Sequence, residues 1–188
     1  NSKPKTTPSQ IESAFLKSNT SIYDLNISGE TLKSFPSNPK QLKIKFEADI
    51  DPPGNFSTEN KLLLQPFSFY VRCYSLPDLF AGKIHALLFR KWKTRVKGRD
   101  WFDLEWYIRK GIHVNLAHLN ERIIQSGETK GRSFTPEALT ENLRLQISKL
   151  NIPQALSDVR PFVKNKESLD IWSKEYFLDL IQNLKVAG

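Results

Sequence analysis

The residues best suited to chemistry lie in a stretch that predicts a helix, a basic loop and a second helix, Tyr74 to Lys110. Ser75 and Asp78 have the spacing of a capping box at the start of the first helix. Lys83 falls within the apolar stripe of this helix, and Arg90 lies two turns further along the same line. Because burying an unpaired cation costs several kcal/mol, we expect Lys83 to face the core and to meet a partner or an anionic ligand there. The predicted stripe comprises Leu76, Leu79, Phe80, Ala86 and Leu87.

The second predicted helix opens with a cation and two carboxylates, Arg99, Asp100 and Asp103. Acidic residues in a first turn are favoured by the positive end of the helix dipole. Between the helices the charge is concentrated, because six of the ten residues from Arg90 to Arg99 are Lys or Arg. This pattern indicates a site for an anion or a polyanion, and the competing interpretation is a structural Lys–Asp pair beside a solvated basic loop.

A third candidate group lies on a predicted strand, Gln41 to Asp51, in which apolar and charged residues alternate strictly. Glu47 and Asp49 fall on one face of this strand, about 7 Å apart. Two carboxylates at this separation can share a divalent cation if further carboxylates come from elsewhere in the chain. Simple solvation of the polar face is the alternative.

Amphipathic patterns along the rest of the chain predict an α+β fold. We expect a short helix over residues 11–17 and a strand over 67–74 that pairs with the 41–51 strand and turns Phe67, Phe69, Val71 and Cys73 inward. Further helices are predicted over 115–124, 135–150 and 169–186. The predicted domains are a β-region over 1–75, with 1–9 disordered, and a helical domain over 76–188.

Composition narrows the function classes. The 188 residues carry a net charge of +8 and a sequence pI near 9.5, which favours a polyanionic partner. Cys73 is the only cysteine, so no internal disulfide can form, which fits the cytoplasm. The three histidines lack metal-ligand spacing, and His85 is expected to be structural. The sequence has no Gly-rich phosphate loop and no apolar run near the ~20 residues of a membrane span.

Three segments, KIKFEADIDPPG, YSLPDLFAGKIHALLFRKW and KGRDWFDLEWYI, resemble the AbiEii/AbiGii toxin family, nucleotidyltransferase-like toxins of type IV toxin–antitoxin and abortive-infection systems. The resemblance covers the chain from Ile11 onward and is strongest from Leu76 to Tyr107. It also includes the segment from Asp158 to Phe162. It implies a polymerase-β-like sheet followed by a helical bundle, with Mg²⁺ and an NTP as cofactor and substrate. Nucleotides would be transferred to a tRNA-like RNA, and an antitoxin protein is a possible partner.

The resemblance also assigns roles to the candidate residues. Asp49 would be the third metal carboxylate, with Glu47 as second choice. Lys83 would contact the nucleotide phosphates, and Asp100 would act catalytically or hold Lys83. Arg90 and Arg99 would assist at phosphate or at the RNA. The basic loop would bind the RNA through Lys91, Lys93, Arg95 and Lys97.

This chain departs from the family pattern, because the Gly-Ser turn and the Asp-x-Asp strand that carry the first two metal carboxylates are missing from it. It also contains no Met. We therefore expect a C-terminal part of such a toxin that is inactive alone. The alternative is a non-enzymatic basic module that binds nucleic acid or docks an antitoxin.

Overall fold

The computed structural model describes residues 51–90, 96–129 and 133–187, and gives the backbone course of 11–19 and 41–49. The predictions for residues 1–9 and for Lys91, Lys93 and Arg95 lie outside these ranges. Contacts divide the chain into two compact units, residues 1–52 and 53–188. The predicted division between residues 75 and 76 stays a prediction.

The first unit contains a two-stranded antiparallel sheet. Strand β1 (Ile11–Asn19) pairs with β2 (Gln41–Asp49), with Ile11 opposite Asp49 and Asn19 opposite Gln41. The predicted 41–51 strand is confirmed in β2, whereas the helix predicted over 11–17 is wrong. A helix of seven residues is marginal by its own propensity, and pairing with β2 gives this backbone its hydrogen bonds instead.

The second unit is a helical bundle with a β-hairpin before it and a short parallel strand pair. The mixture of helices and small sheets confirms the α+β fold class. The hairpin strands are β3 (Thr58–Leu63) and β4 (Phe69–Tyr74), and the parallel pair is β5 (His113–Asn115) with β6 (Lys185–Ala187). The helices are α1 (Leu76–Phe89), α2 (Gly98–Arg109), α3 (Leu116–Gln125), α4 (Pro136–Lys149), α5 (Ile152–Val159) and α6 (Lys174–Leu180), with 3₁₀ turns at Arg160–Phe162, Lys166–Leu169 and Ile181–Asn183.

The hairpin corrects two predictions. The 67–74 strand exists as β4, but its partner is β3, which the sequence patterns did not predict, and not the 41–51 strand. Phe67 and Phe69, expected to point inward, are exposed, while Val71 and Cys73 are half-buried. The hairpin lies at the periphery of the second unit, and its tip exposes a group of large apolar side chains: Leu62, Leu63, Leu64, Phe67, Phe69 and Tyr70.

The later helices largely follow their predicted positions. Helix α3 occupies the predicted 115–124 segment, and α4 begins where Thr135 accepts a hydrogen bond from the Ala138 N–H. The single helix predicted over 169–186 is wrong, because Ser173 caps a separate short helix, α6, and the chain then extends into β6. Within the described ranges, no helix has the length and apolar character needed to cross a bilayer.

Helix α1 presents a different face to the core from the one predicted. Its buried side chains are Asp78, Phe80, Ala81, Ile84 and Leu88, and Leu79 and Lys83 are exposed. The Phe80 ring stacks on Tyr107 of α2, with centroids 4.6 Å apart and planes within 3° of parallel. The prediction of a core-facing Lys83 is therefore wrong. Apolar residues occur on several sides of α1, so periodicity alone left the rotation of this helix open.

Asp78 fixes the start of α1 from within the core. Its Oδ2 accepts hydrogen bonds from Ser75 Oγ (2.6 Å) and from the N–H and Oγ of Ser57, and its Oδ1 accepts one from Asn115 Nδ2 (2.6 Å). Burial raises the pKa of this carboxyl, but these hydrogen bonds outweigh burial and bring it below its usual value. The Ser75 hydroxyl thus donates its hydrogen bond to Asp78. Its side chain does not cap the helix as the capping-box pattern predicts.

Candidate functional site

Helix α2 is positioned by an unusually close contact at its first residue. Gly98 packs against the backbone of α5, and a Cβ atom at this position would collide with the carbonyl oxygen of Ala155. Only glycine lets the two helices approach this closely. The contact brings the first turn of α2, with Arg99 and Asp100, beside the end of α5 and the 3₁₀ turn that follows it.

A cavity of about 300 Å³ opens between the first turn of α2, the middle of α1 and the segment after α5. Four of the predicted site residues line it together, Lys83, Lys97, Arg99 and Asp100. Lys83 is predicted to contact the nucleotide phosphates, whereas Lys97 is predicted to bind the RNA. The remaining lining residues are Phe102, Asp103, Val159, Phe162 and Val163. The spacing of the helix–loop–helix stretch therefore does correspond to one concave site.

Within the described residues, three ion pairs cross the wall of this cavity. Lys83 Nζ lies 2.6 Å from Asp103 Oδ2, Lys97 Nζ lies 3.9 Å from Asp100 Oδ1, and Arg99 Nε lies 3.6 Å from Asp158 Oδ2. The partner of Lys83 is thus Asp103, and the predicted alternative in which Asp100 holds Lys83 is wrong. The Asp103 charge also acts on Tyr107: burial first, and then this charge, raise the pKa of the tyrosine.

In each pair the cation is the more exposed partner. The side-chain exposures are 46% against 32% for Lys83 and Asp103, 20% against 9% for Lys97 and Asp100, and 40% against 16% for Arg99 and Asp158. The cations of the three pairs are therefore more accessible to a ligand in solvent than the carboxylates are.

Arg99 also contacts an aromatic ring at the rim. Its guanidinium carbon lies 4.3 Å from the centroid of the Phe162 ring, within the range of a cation–π contact. Its Nε atom and Asp158 Oδ2 are buried, and neither has a hydrogen-bond partner within the described part of the chain. Their 3.6 Å separation is an ion pair without a hydrogen bond, so both atoms retain hydrogen-bonding capacity.

The other predicted site residues are not brought into this cavity. Arg90 ends α1 as its C-cap residue, and it lies near His85 and not among the lining residues. Glu47 and Asp49 belong to β2 in the first unit, and only their backbone positions are described. The roles predicted for these three residues stay predictions.

His85 has a structural environment, on the side of α1 that meets α3. Its Nε2 lies 3.0 Å from Ser126 Oγ. Burial and the charge of Arg122, partly opposed by Glu128 and reinforced by Arg90, lower its pKa to about 4. The ring is therefore uncharged near neutral pH, and it contacts Phe89.

The described carboxylates do not form a metal site. No group of three or more His, Cys, Asp or Glu side chains in the described ranges could hold a metal ion. Each carboxylate of the cavity instead faces a cation. The Mg²⁺ ligation predicted for Glu47 and Asp49 lies outside the described side chains.

Sequence reasoning gave no chemical role to Asp158, Phe162 and Asp103, although all three belong to segments of family resemblance. The feature of the sequence that could have indicated a role for this segment is a carboxylate, Asp158, close to a proline and to the aromatic residue Phe162. The contacts of Asp158 and Phe162 with Arg99 depend on how α5 packs on α2, which local periodicity does not predict.

A family model described as "Nucleotidyl transferase AbiEii toxin, Type IV TA system" matches residues 3–180 of this chain. Searches of curated proteins and of solved structures found no significant match. The family implies nucleotide and antitoxin partners and nucleotidyltransferase-like chemistry that uses an NTP. The match covers nearly all of the 188 residues and includes every residue of the cavity. The chain therefore belongs to the AbiEii nucleotidyl transferase toxin family of type IV toxin–antitoxin systems.

Proposed function

We propose that the cavity binds the phosphate groups of a nucleoside triphosphate through Lys83, Lys97 and Arg99. The single observation that carries this proposal is that three cations line one cavity and that each is more exposed than the carboxylate with which it pairs. A volume of about 300 Å³ is at the lower end of the range for small-molecule sites and suits part of a nucleotide.

The acids keep the site available without a ligand. Cations left without partners in a half-buried cleft would pay a desolvation cost, and their long side chains would be poorly ordered. Asp103, Asp100 and Asp158 hold the three cations at moderate cost, because the pairs are partly hydrated. A phosphate group carries more negative charge than one carboxylate, so it competes for the same N–H groups.

The family relationship extends the proposal to chemistry. Nucleotide bound here would be transferred to an RNA acceptor, with the basic segment around Lys91, Lys93, Arg95 and Lys97 attracting the RNA backbone. Asp100 is the candidate for a catalytic role, because it is nearly buried in the cavity wall beside Lys97. The family resemblance implies that Asp49 and Glu47 of β2 would hold Mg²⁺.

The test is the affinity for ATP, UTP and inorganic tripolyphosphate, measured by calorimetry at low salt for the full chain and for Lys83→Ala. We expect the substitution to weaken all three ligands by at least tenfold, because it removes a charge-assisted contact to phosphate. Unfolding by urea should show a loss of less than about 1 kcal/mol, because the Lys83–Asp103 pair is partly exposed.

Lys61→Ala is the matched control. Lys61 also forms an exposed pair, 3.0 Å from Glu59 with exposures of 49% and 46%, but it lies on the hairpin away from the cavity. This variant should bind all three ligands like the unmodified chain. Equal loss in the two variants, or no binding of any phosphate ligand, would refute the proposal.

A further inference from the structure

We propose that Phe162 is the platform on which the nucleobase stacks, so that the cavity binds both the base and the phosphate groups of a nucleotide. This inference rests on the proposed function, because it places the base relative to phosphates held by Lys83, Lys97 and Arg99. It concerns a residue for which the sequence predicted no role.

The first argument is the position of the ring. Phe162 lines the cavity that contains the three cations, yet its side chain is 62% exposed. A large aromatic side chain at the rim of a charged cleft leaves apolar surface in water that a flat ligand can cover. Base–aromatic stacking is tolerant of sequence, because every base has a π face.

The second argument is how the ring is held. It belongs to a 3₁₀ turn, Arg160–Phe162, directly after α5, and the Arg99 guanidinium lies 4.3 Å from the ring centroid. Arg99 in turn lies beside Asp158. The cation therefore covers one face of the ring, and the large exposure shows that much of the remaining ring surface is open to solvent. A base on that open surface would extend an ordered stack of guanidinium, phenyl ring and base.

The third argument comes from a comparison with another exposed apolar residue. Ile171 is 60% exposed, but it is neither aromatic nor part of the cavity lining. Its exposure is ordinary for a single apolar surface residue. Phe162 differs because exposure, aromaticity and the neighbouring cations coincide at one place.

The experiment separates base from phosphate. ATP, UTP and inorganic tripolyphosphate are titrated into the full chain and into the variants Phe162→Ala, Phe162→Trp and Ile171→Ala. For Phe162→Ala we expect roughly tenfold weaker binding of ATP and unchanged binding of tripolyphosphate, since one stacked base accounts for about this factor. Phe162→Trp should bind ATP at least as well as the unmodified chain, and Ile171→Ala should bind all ligands unchanged.

The outcomes distinguish the two proposals. If Phe162→Ala weakens tripolyphosphate as much as ATP, the ring acts by holding Arg99 and the stacking proposal is wrong. The stacking proposal is also wrong if Phe162→Trp binds ATP as poorly as Phe162→Ala. If the unmodified chain binds no tripolyphosphate, the proposed function fails, and loss of ATP binding in Phe162→Ala would still support stacking.

The base can come from a free nucleotide or from the end of an RNA strand. A short single-stranded RNA without a triphosphate serves as the second arm. Tenfold weaker RNA binding in Phe162→Ala with unchanged ATP binding would place the platform at the acceptor strand and overturn the proposal for the NTP base, whereas the reverse result would support it. Unchanged binding of both in Phe162→Ala would overturn the inference.

Discussion

The two sides of helix α2 both carry carboxylates that pair with cations, but the carboxylates are buried to different depths. On the cavity side, Asp103 meets Lys83 in a pair that is open to solvent on both partners. On the other side, Glu105 is 5% exposed and accepts a hydrogen bond from Trp172 Nε1 at 2.8 Å. Arg109 reaches the same carboxylate from the surface at 3.3 Å, and the Tyr176 hydroxyl bonds to it as well.

The two sides of α2 therefore differ in how much their carboxylates contribute to the stability of the fold. Glu105 is a buried acid with several donors, and the buried Trp172 N–H would be left without a partner if the acid were removed. The Lys83–Asp103 pair in the cavity is weaker, because water screens both partners. One helix thus anchors the bundle with one face and lines the cavity with the other.

Removing the buried acid should have the largest effect on folding. We expect Glu105→Ala to lower the free energy of unfolding by about 3 kcal/mol, because it leaves the buried indole N–H of Trp172 without an acceptor and removes the acceptor of the half-buried Tyr176 hydroxyl. Glu105→Gln should cost less, since its amide oxygen can still accept. Urea unfolding followed by tryptophan fluorescence measures both, with the exposed Glu141→Ala on α4 as control. A cost for Glu105→Ala as small as that of Glu141→Ala would remove the contrast between the two sides.

High pH should lower the free energy of unfolding through the same side of α2, but by a smaller amount. Burial, followed by the hydrogen bond and charge of Glu105, raises the pKa of Tyr176 to about 12 from a usual value of 10.0, with Arg109 opposing. The contribution of the protonated Tyr176 hydroxyl to stability is intact below pH 10 and declines as the pH rises towards 12. It declines because the tyrosine loses its proton at a lower pH in the unfolded chain than in the folded one. The urea midpoint should therefore fall over this range more in the unmodified chain than in Tyr176→Phe. Parallel pH profiles would contradict this assignment.

The smallest effect is expected on the cavity side. Asp103→Asn should change the free energy of unfolding by less than about 1 kcal/mol, as expected for a partly hydrated pair. Glu59→Gln on the hairpin gives the matched comparison. If Asp103→Asn proves as costly as Glu105→Ala, the cavity acids would be part of the fold's support and the separation of roles would be wrong.

Lys83, Arg99 and Asp100 come together in the cavity for a physical reason that the sequence pattern contains. Two amphipathic helices joined by a short loop pack side by side, so residues at the middle of one and the start of the other come close together. The rotation of α1 could not be predicted in the same way, because its apolar residues fit more than one stripe. The contacts of Asp78 and the stacking of Phe80 on Tyr107 select the observed rotation.

Local sequence patterns could not predict the contacts that α5 and the turn after it make with Arg99. Asp158 and Phe162 meet Arg99 only because α5 packs on the start of α2. Likewise, the helix predicted over 11–17 became β1 because a strand elsewhere in the chain offers it hydrogen bonds. Both differences arise from contacts between segments that are distant in the sequence, where tertiary pairing overrides local preference.

Gly98 has a consequence for how the cleft can change. Since it lets α2 and α5 touch backbone to backbone, it sets the width of the gap between the Lys83 side and the Phe162 side. A methyl group there would act as a wedge between the two helices and alter the capacity of the cleft without contacting any ligand. The dimensions of this recess are therefore controlled by a residue that has no side chain.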